Sequence, residues 1–326
     1  MARLRVAVLC GGRSGEHEIS LRSAESIVKG LDPEKYDVHR IFITPEGRWQ
    51  PGPILPEPGV NTGIDVVFPV LHGTFGEDGT VQGLLELADL PYVGCGVLAS
   101  AVAMDKDALK RLLAERGIPV VEWVTVTRGK WDVANVATRF PYPVFVKPAN
   151  LGSSVGISKV TQASDLEAAL QLAAQFDRKI IVERGIAGRE FECSVMGNDD
   201  PKAAIPCEVL PSRAFYDYED KYLLDTAKTI LPAPLEPAQT AEIQRLAVEA
   251  YRAAGCEGMS RVDFLMESAT GAIFVNEINT IPGFTSISMY PKMWEAAGVP
   301  FGRLLDGLIE LALERQRAKH ATRYKR

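Results

Sequence analysis

The chain has 326 residues, more than one ordinary hydrophobic core accommodates, so two or three domains are expected. With 46% hydrophobic and 24% charged residues it reads as globular, and a formal net charge of -6 gives no general pull on nucleic acid or anionic membrane, so neither is expected as a partner. The 5 cysteines (Cys10, Cys95, Cys193, Cys207, Cys256) form no CxxC pair, which argues against a disulfide framework or a zinc site and for small buried apolar residues. No apolar run reaches the ~18 residues of a membrane helix, and the opening MARLRVAVLCGG is too short for a signal-peptide core. A cytoplasmic location is the expectation.

In chain order, 3-RLRVAVLC-10 reads as a buried parallel strand and 11-GGRSGEHE-18 as a glycine-rich turn. A helix over 20–31 and strands over 38–44 and 65–72 follow, then a helix over 80–90. Apolar strands interleaved with helices imply a doubly wound α/β domain with a parallel sheet covered on both faces, here placed at residues 1–98. Residues 99–119 carry one helical pattern closed by Gly117 and Pro119. Strands over 121–126, 144–148, 155–160 and 179–185 and a helix over 164–176 complete a second domain, 99–185. The third, 186–326, has strands over 190–197 and 203–210, an aperiodic stretch 211–234, a helix over 237–255 and a hairpin over 260–279. The basic tail from 314 reads as a frayed helix end.

The hairpin is the first place where chemistry shows. Glu277 and Asn279 lie two apart near a strand end and share a face, as do Arg261 and Asp263 on the preceding strand. Folding the turn 268-SATG-271 about residue 270 brings Asp263 opposite Glu277, and like charges in that position repel. Three oxygen donors without histidine or thiol suit a hard cation such as Mg2+, which keeps coordination places for phosphate oxygens. The same residues also fit a solvated polar strand end.

Lys147 ends a strand and is followed by a loop of small residues, Gly152, Ser153, Ser154 and Gly156, before the chain returns as a strand. Backbone N–H groups in such a loop can close over an anion, although a plain β-turn has the same composition. The GxxxxGK[ST] phosphate loop is absent. Lys106 sits early in a helix, where the dipole slightly disfavours a cation unless a polyphosphate is bound.

Taken together, 11-GGRSGEHEIS-20, 71-LHGTFGEDGTVQG-83, 104-MDK-106, 146-VKPANLGSSVGISKV-160, 190-EFE-192, 216-YDYEDKYL-223, 261-RVDF-264 and 276-NEINTIPGFTSISMYP-291 resemble, in order and spacing, the D-alanine–D-alanine ligases of the ATP-grasp superfamily. The resemblance implies an ATP-grasp fold behind the N-terminal domain, with ATP between the central and C-terminal domains. It places Lys106 and Lys147 on the α- and β-phosphates under the 152–156 loop, with Gly152, Ser153 and Ser154. It places Glu183, Arg184 and Ile186 at the adenine edge and Glu190 on the ribose. Asp263, Glu277 and Asn279 match ligands of two Mg2+ ions, for which Mn2+ is a substitute. Glu16 would pair with the ammonium of the first D-alanine, tied to Ser153 and Tyr222, with His72 beside that substrate's carboxylate. Lys221 and Ser288 would contact the carboxylate of the second D-alanine and Met289 its side chain. Arg261 and the Gly283 N–H would stabilise an oxyanion, and 211–234 would close as a lid that excludes water.

The activity implied is ATP-dependent formation of D-alanyl-D-alanine through a D-alanyl phosphate, for peptidoglycan precursors, by what is commonly a homodimer. One alternative is a D-alanine–D-lactate or D-serine ligase. D-lactate enzymes carry a histidine in the lid region, where 216-YDYEDKYL-223 keeps Tyr222. The other is a nucleotide-binding regulator without turnover, which would be expected to lose some of the metal or phosphate ligands, and all of them are present.

Overall fold

In strand β1 (Leu4–Gly11) both faces are buried, which explains why its sequence is apolar throughout rather than alternating. Val6, Val8 and Cys10 enter one cluster of buried residues, while Ala7 and Leu9 enter another. The computed structural model describes residues 3–153, 155–210 and 228–323. It continues through α1 (His17–Gly30), β2 (Tyr36–Ile43), β3 (Trp49–Gln50), β4 (Val66–Pro69) and α2 (Thr80–Leu87). The sheet order is β3-β2-β1-β4, with β2, β1 and β4 parallel and the short β3 antiparallel at the edge.

The helix expected over 99–116 is two helices, α3 (Val97–Met104) and α4 (Lys106–Glu115). The apolar period runs through the junction, but Asp105 leaves helical geometry (ψ 98°) and caps α4 by accepting the Ala108 N–H at 3.0 Å. Lys179 holds the same carboxylate at 2.5 Å. The break makes Lys106 the first residue of α4, with its N–H on Ala149 O at 2.9 Å.

The second sheet is antiparallel, in the order β5-β8-β6-β7. It comprises β5 (Trp123–Thr127), β6 (Val144–Pro148), β7 (Ser158–Val160) and β8 (Lys179–Arg184), with α5 (Val133–Ala137) and α6 (Leu166–Phe176). The third contains β9 (Gly188–Met196), β10 (Lys202–Ala203), β11 (Cys207–Leu210), β12 (Lys228–Ile230), β13 (Met259–Glu267) and β14 (Ile273–Asn279), with α7 (Pro237–Ala253) before β13. Its order is β12-β11-β9-β13-β14, and β10 pairs with β9.

The chain ends in α8 (Met289–Ala296) and α9 (Phe301–His320). Through His320 the tail is packed helix and not a frayed end. Leu304, Leu305, Leu308 and Ile309 of α9 share one buried cluster with Ile27 of α1, Val66 and Phe68 of the first sheet and Phe284 near the hairpin. Arg315 donates to Gly94 O at 2.5 Å and Tyr92 O at 2.8 Å and lies over the Tyr92 ring, while Lys319 pairs with Glu86 at 2.6 Å. All five cysteines are buried and unbridged, and among the described residues no helix is long and apolar enough to cross a membrane.

Candidate active site

The hairpin takes the register its turn implies, with Arg261 opposite Asn279 and Asp263 opposite Glu277. Strict alternation would put Val275 on the same face as Glu277 and Asn279. A β-bulge prevents this: Phe264 pairs with Val275, so Asn276 is the extra residue. Val275 and Ile278 therefore enter the core while Glu277 and Asn279 face outward. The repulsion between the carboxylates is relieved by the protein's own cations. Arg261 grips Asp263 through two bonds of 2.7 Å, Asn279 Nδ2 donates to Asp263 at 3.0 Å, and Lys106 Nζ lies 3.6 Å from Glu277. Among the described residues no group of three or more His, Cys, Asp or Glu is arranged around a metal, because the third donor here is an amide. The oxygen-only set of Asp263, Glu277 and Asn279 nevertheless has the chemistry that a hard divalent cation takes.

Lys106 also donates to Leu151 O at 2.7 Å, which joins α4 to the Gly-Ser loop. In that loop Ser153 adopts φ 52°, a left-handed conformation uncommon outside glycine, and its hydroxyl donates to Glu16. Gly156 has φ 72°, and a Cβ there would come within 2.6 Å of the Phe176 ring. The half-buried Gly152 completes the described part, and Ser154 lies outside the described residues.

Lys147 does not stand alone. It pairs with Glu183, whose other oxygen is 2.8 Å from Lys110. Lys110, one turn beyond Lys106 on α4, is only 1% exposed and donates to Val121 O at 3.1 Å. Burial raises the carboxyl pKa of Glu183, but the two lysines outweigh it and hold the group ionised, well below the usual range. Arg184 is held by Glu122 and Glu267, each at 2.7 Å. Ile186 is half-buried between β8 and β9, and Glu190 is half-buried on β9 opposite Val209 and Leu265.

A cavity of about 910 Å³ lies between the first and third sheets. Glu16, His72, Ser153, Arg261, Glu277 and Asn279 line it, as does the 281–289 segment. His72 is buried, which lowers its pKa and keeps the ring neutral. Its Nδ1 is 3.0 Å from Ile281 O. Ser288 precedes α8 and accepts the Thr285 N–H at 2.9 Å, and a Cβ on Gly283 would sit 2.7 Å from the Ser288 hydroxyl, so glycine is the residue that fits. Met289 opens α8, packs into the core and borders the cavity. Lys221 and Tyr222 lie outside the described residues, as does 211–227 of the expected lid.

Sequence reasoning missed Lys110, Ser23 and Glu77. Lys110 carries the i,i+4 signal with Lys106, and Glu77 stands in the quoted 71–83 motif. Ser23 gives no local signal. Glu77 accepts the Gly73 N–H at 2.7 Å and the Ile281 N–H at 3.1 Å. Burial first, then the charge of Glu16, pushes its carboxyl up to about 8.

The family pattern described as D-ala D-ala ligase N-terminus matches residues 5–58 and 56–95, and D-ala D-ala ligase C-terminus matches 112–310. The chain is 66% identical over 324 residues to the D-alanine–D-alanine ligase of Solibacter usitatus, covering 99% of this chain and 100% of that one. It is 47% identical to the enzyme of the same name from Heliobacterium modesticaldum, over 98% of this chain and 97% of that one. Among solved structures, the D-alanine–D-alanine ligase of Coxiella burnetii superposes with a TM-score of 0.87 at 40% identity, covering 98% and 97% of the two chains. The VanG D-Ala:D-Ser ligase of Enterococcus faecalis superposes with a TM-score of 0.88 at 38% identity, covering 95% and 100%. These neighbours have the ATP-grasp fold, and from its hairpin to its glycine-serine loop this chain belongs to the D-alanine–D-alanine ligase family.

Proposed function

We propose that the chain joins two D-alanines at the expense of ATP, releasing ADP and phosphate. The observation that carries this reading is the Asp263–Glu277 register, which puts Arg261, Glu277, Asn279 and the Pro282–Gly283 turn on the wall of the cavity that also holds Glu16. A carboxylate resists attack by an amine because its carbon is shielded by negative charge. Transfer of the γ-phosphoryl group to an oxygen of the first D-alanine gives an acyl phosphate and ADP. The amine of the second D-alanine then attacks the carbonyl carbon, loses a proton, and the tetrahedral oxyanion collapses by expelling phosphate.

Glu16, oriented by Ser153, takes the ammonium of the first substrate. Lys106 and Lys147 take phosphate oxygens, beneath the loop of Gly152, Ser153 and Ser154. Glu183, Arg184 and Ile186 face adenine and Glu190 the ribose. Asp263, Glu277 and Asn279 would hold two Mg2+ ions (or Mn2+), which when bound would supply charge neutralisation for phosphoryl transfer. Arg261 and the Gly283 N–H receive the oxyanion, for which donors fixed in advance matter most. His72 borders the carboxylate of the first substrate, Tyr222 joins Ser153 in holding Glu16, and Ser288, Met289 and Lys221 form the second subsite. Residues 211–234 exclude water from the acyl phosphate.

Phosphate release from ATP is expected to require both D-alanine and Mg2+ and to be negligible with L-alanine. Release that ignores the stereochemistry of alanine contradicts the assignment. The likeness to a D-Ala:D-Ser ligase makes D-serine the second acceptor to compare.

A homodimer would have an apolar surface to cover at α2 and α3, which pack together and expose Leu87 (64%) and Leu98 (70%). Leu87→Glu with Leu98→Glu should shift the mass measured by light scattering from dimer to monomer. An unsubstituted chain that is monomeric, or a dimer unchanged by the substitutions, removes this surface from the account.

A further inference from the structure

Three side chains of the first sheet's neighbourhood converge on one short run of backbone just after β14 of the third. His72 is bonded to Ile281 O at 3.0 Å, Glu77 accepts the Ile281 N–H at 3.1 Å, and Ser23 Oγ accepts the Phe284 N–H at 3.2 Å. The directions of these bonds are fixed by what each group can do. Ile281 O only accepts, so Nδ1 of the neutral His72 carries the ring proton. Nε2 is then a bare acceptor and takes the Ser23 hydroxyl proton at 3.1 Å. Ser23 therefore links Phe284 N–H to the imidazole, and the imidazole links onward to Ile281 O.

The ring that results encloses Pro282 and Gly283. Pro282 has no N–H to give, and the N–H groups of Ile281 and Phe284 are taken by Glu77 and Ser23. Among the described residues the Gly283 N–H has no acceptor, so it is the one amide of this run left for a ligand. Ser23 is fully buried on α1, lies outside the cavity wall and reaches the first subsite only through His72. We propose that Ser23 and Glu77, acting with His72, are positioning residues that clamp the 281–284 backbone and so aim the Gly283 N–H at the oxyanion. This rests on the ligase reading and adds to it that the first sheet's domain, not the domain carrying the turn, sets the donor's direction.

The test compares Ser23→Ala and Glu77→Gln with the unsubstituted chain in three measurements. They are steady-state ligation, affinity for a non-hydrolysable ATP analogue, and amide hydrogen exchange across 281–284, with melting temperature as the check on folding. Each variant is expected to lose about 10- to 100-fold in kcat, because a displaced donor fails in the transition state rather than in the bound ground state. KM for D-alanine and nucleotide affinity should change less than about threefold, and exchange in the turn should accelerate. Unchanged kcat in both variants, or a loss confined to KM, overturns the clamp. So does exchange as slow as in the unsubstituted chain. If the unsubstituted chain makes no dipeptide while exchange still accelerates in the variants, the ligase reading fails and the clamp stands.

Discussion

Glu277→Gln is expected to lower kcat at least about a hundredfold while leaving the melting temperature at or slightly above that of the unsubstituted chain. The two halves of this result have opposite physical origins. Glu277 faces Asp263 directly across the hairpin, and removing one of two opposed carboxylates relieves a repulsion that Arg261, Asn279 and Lys106 offset. Lys106 keeps its bond to Leu151 O. The proposed metal role depends on the same charge, and a ligand change that weakens Lewis-acid assistance by about 3 kcal/mol costs about a hundredfold in rate. Phosphate release and thermal melting on one preparation check both halves. Undiminished turnover removes Glu277 from the metal set, and a large fall in melting temperature makes it a structural residue.

Glu183→Gln should do the reverse and cost about 3–5 kcal/mol of folding stability, since it leaves buried charges uncompensated. Glu183 is 3% exposed between Lys110 and Lys147, which are 1% and 9% exposed. Its pKa carries a pH signature. The folded value is depressed below the ordinary carboxylate value, so its stabilisation is present above that ordinary value and fades as pH falls through the window below it. Denaturant midpoints measured from neutral pH to below the usual carboxylate range should fall with acid in the unsubstituted chain and fall less in Glu183→Gln. Parallel curves with equal midpoints contradict the triad's role. Under the proposed function the same carboxylate belongs to the adenine edge, so a loss of nucleotide affinity is expected to accompany the loss of stability.

How much of this was legible in the sequence differs from element to element, for physical reasons. The Asp263–Glu277 pairing was legible because the short turn and the alternation of side chains fix a register. The bulge at Asn276 was not, because its only sign is an apolar Val275 out of phase with the polar pair. The break at Asp105 was hidden by an apolar period that continues across it, and the deciding partners, Ala149 just after β6 and Lys179 of β8, are remote in sequence. The ends of the clamp are 261 residues apart at Ser23 and Phe284 and 204 apart at Glu77 and Ile281, and no local pattern reports such a pairing. The tail was misread for the same reason, since the partners of Arg315 at Tyr92 and Gly94 are remote in sequence. The candidate site residues were named through the family motifs, and of these Glu16, His72, Ser153, Arg261, Glu277 and Asn279 line one cavity, while Lys106, Lys147 and Glu183 are not part of its wall.

The central claim is the identity of the bond formed, and a product assay tests it most directly. The chain is incubated at neutral pH with ATP, Mg2+ and D-alanine, alone and in competition with equal D-lactate or D-serine, and products are resolved by mass and chirality. The account predicts one D-alanyl-D-alanine for each phosphate released, remaining the dominant product under competition. A depsipeptide or a D-alanyl-D-serine product in the majority, or phosphate release without any dipeptide, contradicts it.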